Sequence, residues 1–381
     1  MYLVENRASL VADGVYSMRF SFSGAGIAFV RNAFDGFGEL CLYRDGKTTV
    51  IEREFHAYGS FVVSPDGKVV FYTLTDDGRT TGYIYDGRKK EIGTDVFPIA
   101  VADGAKYIYY NRNGTLYVQK GDNSDTRENL GSNSYITAFN KDLTQAVYTR
   151  DGSSYISRNG SKGDSLSGNV VNFLLPSGTV NNGQAIGISS FADTYYRDDE
   201  SNIRRIDNKF EVSGIVARGV MSAYIADDGK TIIYMRGDRI SRVDGSKTNA
   251  EPVELVSGDV SQFIPTDNGK AVYYVNTDRE LFYQKGTGKS VRAGDYLSSD
   301  TLYGGFFSLF KGNTLFYISD GELFTTDGGR GKVIRGFDGE VIGVSAGMFG
   351  ITVQTNSGSE RLNYQSTDGK NFEFTAAYPL Y

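Results

Sequence analysis

The 381-residue chain has one histidine, His56, in the run Glu52-Arg-Glu-Phe-His-Ala57. Any serine-nucleophile apparatus would have to use it as general base. The string Gly343-Val-Ser-Ala-Gly347 matches G-x-S-x-G, but that motif works on a strand-to-helix elbow, and here it lies among strand-type residues. His56 falls between two repeat units and reads as a loop residue. No catalytic residue is assigned.

Carboxylates are the next candidates. Acidic clusters stand at Asp76-Asp77, Asp122-Asn-Ser-Asp125, Asp198-Asp-Glu200 and Asp227-Asp228. Calcium needs about six to eight converging oxygens, and none of these clusters has the D-x-[DN]-x-[DN]-G register of a calcium loop. They read as solvated turns, and neither a metal nor a cofactor is expected. A pair of carboxylates cutting a glycosidic bond is defined by its separation in space. A glycan-processing hydrolase or lyase with carboxylates at a channel mouth therefore stands as an alternative function.

Arginine recurs at one place. Arg112, Arg150 and Arg236 lie two residues past Tyr110, Tyr148 and Tyr234; Arg197 directly follows Tyr196, and Arg31 follows Val30. On one face of a repeat array, Arg112, Arg150, Arg197 and Arg236 would form a rim able to bind a carboxylate or phosphate. Asp151, Asp198 and Asp238 sit beside them and would neutralise that rim in the alternative reading. Two apolar-rich segments, Tyr303-Gly-Gly-Phe-Phe-Ser-Leu-Phe310 and Phe173-Leu-Leu175, read chiefly as inner-strand packing and alternatively as an exposed aromatic patch for a protein or glycan.

The elements that carry these residues repeat. Paired-aromatic runs occur at Val70–Tyr72, Tyr107–Tyr110, Ala146–Tyr148, Thr194–Tyr196, Ile232–Tyr234, Ala271–Tyr274 and Leu315–Tyr317, with weaker copies at Ile27–Val30 and Phe349–Val353. Their spacing of roughly 36 to 48 residues is that of four-stranded propeller blades. Asp-Gly or Asn-Gly occurs 18 times, against about 6 or 7 for random pairing, which is hairpin chemistry. In the type unit, Tyr107-Ile-Tyr-Tyr110 turns through Asn111-Arg-Asn-Gly114 into Thr115-Leu-Tyr-Val-Gln119. A second turn precedes the aromatic strand, as in Ser64-Pro-Asp-Gly67, Ala226-Asp-Asp-Gly229 and Thr266-Asp-Asn-Gly269. Each unit thus supplies four antiparallel strands, and a blade buries both faces only by stacking on its neighbours.

The expected fold is all-β: one propeller domain over 1–381 with eight or nine four-stranded blades, starting near 12, 54, 95, 132, 168, 214, 258, 296 and 338. Residues 2–11 read as extra outer strands that would close the ring by completing the final blade, which removes an exposed sheet edge. The unit from 169 to 214 is long and irregular.

Composition narrows the function classes. The 27 Tyr and 24 Phe, with no Trp, suit pleated, half-buried strands. The net charge of −6 comes from 40 basic and 46 acidic residues mixed along the chain, with no polybasic run, which argues against nucleic acid as a partner. Apolar stretches are strand-length, far short of the roughly 20 residues of a membrane helix, so direct membrane insertion is not expected. The single Cys41 excludes an internal disulfide and a cysteine-based metal site and reads as a small buried hydrophobe. The chain opens directly into a strand-like run, Tyr2-Leu-Val-Glu-Asn6, read as the start of a segment from which any export signal or anchor has been removed.

Two phrases point to known repeats. Ser64-Pro-Asp-Gly-Lys-Val-Val-Phe-Tyr72 and Asp227-Asp-Gly-Lys-Thr-Ile-Ile-Tyr234 resemble the repeats of TolB-like propellers. The phrase Tyr-Tyr-x-x-Asn/Asp-Gly-x-Leu-Tyr/Phe, best at 107–117 and 315–324, resembles the bacterial propellers related to the YWTD type of the low-density-lipoprotein receptor. No Trp stands at the YWTD position, and no adjoining hydrolase, kinase or anchor segment is present. Gln365-Ser-Thr-Asp-Gly-Lys-Asn-Phe372 resembles the Asp-box of sialidase propellers, one residue short and with Phe for Trp, and reads as a hairpin. The resemblance implies a secreted or surface-displayed bacterial propeller that acts by binding, with no catalytic residues to carry over. The expected function is a non-enzymatic binding or scaffolding module, recognising a protein, peptide or surface polymer on one face through its loops. A structural spacer is the third reading, and the oligomeric state is left open.

Overall fold

The computed structural model describes residues 2–4, 8–181, 185–247, 250–295, 297, 307–346 and 350–379. Among them are nine four-stranded sheets, each built from four strands consecutive in sequence and in space, and two single 3-10 turns. The protein is an all-β propeller of nine blades, numbered here in chain order: 15–56, 61–94, 96–132, 135–165, 170–217, 222–256, 262–294, 307–334 and 340–379. Contacts divide the chain into two compact units. Blades one to four belong to the first (1–170, with 179–193 and 208–211), and blades five to nine to the second (171–178, 194–207 and 212–381).

Three expectations change. Tyr2–Val4 pairs with Ala8–Leu10 in a hairpin of its own, and blade nine draws all four strands from 340–379, so residues 2–11 do not complete it. Blade two begins at Phe61 rather than near 54, because Lys47–His56 is one ten-residue outer strand of blade one. Blade six begins at Ser222 rather than near 214, because Val212–Ala217 is the fourth strand of blade five. The first error comes from the charged residues of Lys47–His56, which hide the alternation that marks inner strands.

The paired aromatics explain the stacking. Side chains of consecutive strand residues point to opposite faces. In the first unit, Tyr109 packs with Phe139, Leu143, Ala146 and Tyr148 of blade four. Its neighbour Tyr110 packs with Val69, Phe71 and Ile84 of blade two. In the second unit, Tyr273 joins Leu297, Leu315 and Tyr317 on the blade-eight side, while Tyr274 joins Ile233, Met235 and Ala226 of blade six. A Tyr-Tyr dipeptide on the second strand thus places one large side chain in each of the two cores that a blade shares.

Buried phenols need acceptors. Tyr109 donates to the Leu143 carbonyl at 3.2 Å, and Tyr273 to the Asn313 carbonyl at 2.9 Å. Each bond reaches the turn between the first two strands of the next blade. The first turns of blades two and seven share one construction, which the turn between the third and fourth strands of blade nine repeats. Ser64 Oγ donates to Asp66 Oδ1 and accepts from the amides of Lys68 and Val69. Thr266 with Asn268 and Ser366 with Asp368 repeat the arrangement.

The turns also link blades. Ser23 N donates to the Pro65 carbonyl and Asp66 N to Asp103 Oδ1 in the first unit; Asp227 N donates to the Asp267 carbonyl in the second. Where blades one and two meet, Gly67 has φ +72° and a Cβ on it would lie 2.7 Å from Gly26 Cα, so the backbone contact requires glycine at both positions. The two-residue hairpins between second and third strands carry positive φ at both positions, as at Asn113 (51°) and Gly114 (73°) or Asp151 (49°) and Gly152 (73°), the geometry that Asn-Gly and Asp-Gly favour. A longer excursion, 175–193, interrupts blade five, and its 185–193 part is bonded to blade four: Asn140 Nδ2 donates to the Ser189 carbonyl and Phe191 N to Gln145 Oε1.

Tyr109→Phe should lower the unfolding free energy by about 1 kcal/mol through the unpaired Leu143 carbonyl, and Tyr109→Ala by about 3–5 kcal/mol through the cavity, read from denaturant midpoints. The Asp66–Asp103 contact gives a pH-dependent expectation. Partial burial pushes the Asp103 carboxyl up, the Asp66 amide pulls it back, and the Asp66 and Asp142 carboxylates push it up again, with a net rise. A raised folded pKa means that ionised Asp103 costs stability, and the cost vanishes once both folded and unfolded carboxyls are protonated. Asp103→Asn keeps the acceptor for the Asp66 amide, so it should raise the thermal midpoint at pH 7 and lose that gain near about pH 3.

Candidate functional site

The serine of the Gly343-Val-Ser-Ala-Gly347 string is a strand residue, and Gly347 lies outside the described residues. Ser345 lies in the first strand of blade nine, Glu340–Ala346, paired with Thr352, and the next described element is the strand Ile351–Ser357. Several members of the acidic clusters are held by local bonds or ion pairs. Asp228 accepts from the amides of Lys230 and Thr231 and from the Thr231 hydroxyl. Asp198 is buried and bound to Arg204 at 2.6 Å and to Asn202. Asp77 is a hairpin residue at φ 46°, and Asp122 lies 3.6 Å from Lys90. Among the described residues no three His, Cys, Asp or Glu converge as metal ligands.

A polar cavity of about 640 Å³ in blade nine is lined by Thr352, Gln365, Asp368 and Glu373. Its Asp368 accepts from the amides of Asn371 and Lys370 and from Ser366 Oγ, which hold its carboxyl well below the usual carboxylate range. This is the Asp-box-like segment, and it is a turn, as its sequence suggests.

The four arginines occupy equivalent places, on the second strands of blades three to six. Arg112, Arg150 and Arg236 end their strands, and Arg197 stands one residue from the end of its own. Arg112 and Arg150 belong to the first unit, Arg197 and Arg236 to the second. Arg150 stacks 4.3 Å over Tyr155 and donates to the Leu130 carbonyl; Arg197 donates to the Met221 carbonyl at 2.9 Å. Of the expected neutralising partners, Asp151 acts on Arg150, while Asp198 bonds with Arg204 and Asp238 with the Asp259 amide. Of the apolar-rich leads, residues 303–306 lie outside the described residues, Phe310 is buried against Phe316, and Phe173 packs on Tyr196.

The exposed aromatic surface is elsewhere, at one end of blade one. Phe34 and Phe37 flank the Asp35-Gly36 hairpin between its second and third strands and face each other across it. His56, at the end of the fourth strand rather than in a loop, pairs in register with Phe37. Tyr58 follows on the connection to blade two, and Tyr16 stands on the first strand. Phe34 is 86% exposed, Tyr58 75%, Phe37 51% and Tyr16 49%. The rings form a chain: Phe37–His56 at 5.4 Å, His56–Tyr58 at 5.8 Å and Tyr58–Tyr16 at 5.3 Å. The Tyr58 amide donates to His56 Nδ1 at 3.2 Å, which leaves Nε2 as the protonated nitrogen of the neutral ring. The Tyr58 hydroxyl beside it pushes the Tyr16 phenol up.

The signal for this site was in the hairpins. Closing pairs of the other two-residue second-to-third-strand hairpins are Asp76/Arg79, Arg112/Thr115, Arg150/Ser153, Arg236/Arg239, Ser319/Glu322 and Ser357/Glu360. Each is polar on both sides. Blade one has Phe on both.

No family model matches the chain, and no curated protein matches it. Solved structures similar to it include the Dos1 propeller (12% identity, 94% of this chain and 93% of that one, TM-score 0.41) and apo AztD from Citrobacter koseri (12%, 95% and 94%, TM-score 0.37). The tricorn protease is matched at 14% identity over 97% of this chain, with TM-score 0.31. The chain spans about half the length of the tricorn protease and of the prolyl endopeptidase that it also matches.

The aromatic cluster is not part of the core, so Phe34→Ser with Tyr58→Ser should leave the denaturation midpoint within about 0.5 kcal/mol of the parent. Phe55→Ala, one residue before His56 and fully buried, should cost about 3–5 kcal/mol.

Proposed function

We propose that the protein is a non-enzymatic binding module whose contact surface is the aromatic end of blade one. The observation that carries this reading is the replacement of a polar hairpin closing pair by Phe34 and Phe37, continued by His56, Tyr58 and Tyr16. Exposed aromatics are costly in a protein that keeps its other hairpin tips polar. They are the residue type that dominates contact energetics when a partner covers them. Asp228 and Asp368 are held by turn bonds and Asp198 by Arg204, which takes these carboxylates out of consideration for glycan cleavage. Arg150 and Arg197 are committed to internal contacts, so the rim of Arg112, Arg150, Arg197 and Arg236 is given no primary role.

The partner is a protein or peptide in this reading, with a surface polymer as the other ligand that such a module takes. The resemblance of 64–72 and 227–234 to TolB-like repeats, and of 107–117 and 315–324 to YWTD-type repeats, supports a secreted or surface-displayed bacterial protein.

Immobilised protein probed with peptide and glycan arrays should give ligands whose binding falls at least about tenfold in the Phe34→Ser/Tyr58→Ser variant, a loss of about 1.4 kcal/mol. Ligands that bind the variant as well as the parent would refute the assignment.

A further inference from the structure

We propose that the aromatic end of blade one receives a lysine- or arginine-bearing segment of a partner protein. This rests on the reading of the cluster as a binding surface and names the chemistry of what it binds.

Ring geometry is the first support. The Tyr16 and Tyr58 planes meet at 89° and those of Phe37 and His56 at 80°. In an edge-to-face pair one ring keeps both faces open and the other keeps its far face. Perpendicular walls make re-entrant corners lined by negative ring faces, which suit a compact cation. A sugar stacks on a broad flat platform, which planes at 80–89° do not provide.

The second support is what the fold does with its other aromatics. Lys89 lies 4.4 Å from the Tyr83 ring, Arg150 4.3 Å from Tyr155 and Arg158 4.5 Å from Phe210. Among the described residues no lysine or arginine covers Tyr16, Phe34, Phe37 or Tyr58. Phe34 and Tyr58, the two most exposed aromatic rings among the described residues, are left without one.

Charge is the third. Arg31 and Arg53 both bond to Glu39, at 3.0 and 3.7 Å. Within residues 13–16, 31–39 and 53–58 the remaining charged groups are acidic. Asp35 is in the hairpin between Phe34 and Phe37. Glu54 lies two residues before His56 on the same strand. Asp13 adjoins Gly14, whose carbonyl accepts the Asn32 amide. The six groups sum to −2, and the chain to −6. A cation there meets ring faces and free carboxylates together.

The test uses the full chain and a fluorescent peptide with four lysines spaced by Gly-Ser, against the same peptide with glutamine for lysine. Saturable binding of the lysine peptide, weakening with salt, is expected below about 1 mM. Tyr58→Leu keeps bulk and apolarity but removes the phenol ring, and should weaken the lysine peptide about five- to tenfold. Asp35→Asn with Glu54→Gln should act in the same direction. Asp122→Asn with Asp125→Asn, on blade three, controls for diffuse attraction and should change nothing. Lysine binding unaffected by Tyr58→Leu, equal loss in the blade-three control, or no binding by about 1 mM each overturns the proposal. Equal binding of the glutamine peptide, lost in Phe34→Ser/Tyr58→Ser, would overturn the cationic assignment and leave the cluster standing as a binding surface.

Discussion

The structure depends on one constraint: two consecutive aromatics on a strand cannot share a face. Tyr109 and Tyr110, or Tyr273 and Tyr274, are driven into separate cores on either side of one sheet. Blades three and seven are each held by both neighbours through a single dipeptide, and neither could bury its apolar faces alone. The phenol form of the aromatic adds direction. Tyr109 and Tyr273 bond to carbonyls in the first turn of the next blade, which fixes the sliding position of one sheet on another where apolar packing alone would be indifferent.

That arrangement decides what the polar residues can do. The first turns of blades two and seven are built from Ser or Thr with Asp or Asn two residues on, and those side chains are consumed in bonds within the turn. A sequence with 46 acidic residues consequently offers few free carboxylates where they cluster. Asp198 shows the same logic in the interior, bound to Arg204 and Asn202 rather than to the adjacent Arg197. Adjacency in sequence is a poor guide to ion pairing on a strand, because neighbours point to opposite faces.

The legible part of the sequence was the part governed by local rules. Hairpins at Asn113-Gly114 and Asp151-Gly152 follow from the φ values those residues accept, and the repeat follows from the aromatic dipeptides. Outer strands such as Lys47–His56 were hard to bound, since half their residues meet solvent and carry charge. His56 was misplaced into a loop for that reason. The aromatic site was illegible for a different one. Phe37 and Tyr58 are the same residue types as the core phenylalanines and tyrosines, and only strand register separates Phe55, which is buried, from His56, which is exposed.

Register also explains why blade one can differ without cost to the fold. A second-to-third-strand hairpin needs its central pair to accept positive φ, and Asp35-Gly36 meets that need at 50° and 81°. The flanking pair is then unconstrained by the turn, and at Phe34 and Phe37 it meets solvent rather than core. Elsewhere that freedom is filled by charged or hydroxyl residues, which is the outcome expected of solvent alone. A Phe on each side, extended through His56 and Tyr58 to Tyr16 on three further segments of chain, is a surface that water does not select. Solvent exposure alone does not account for that surface, and this is the ground on which it is proposed as a binding site.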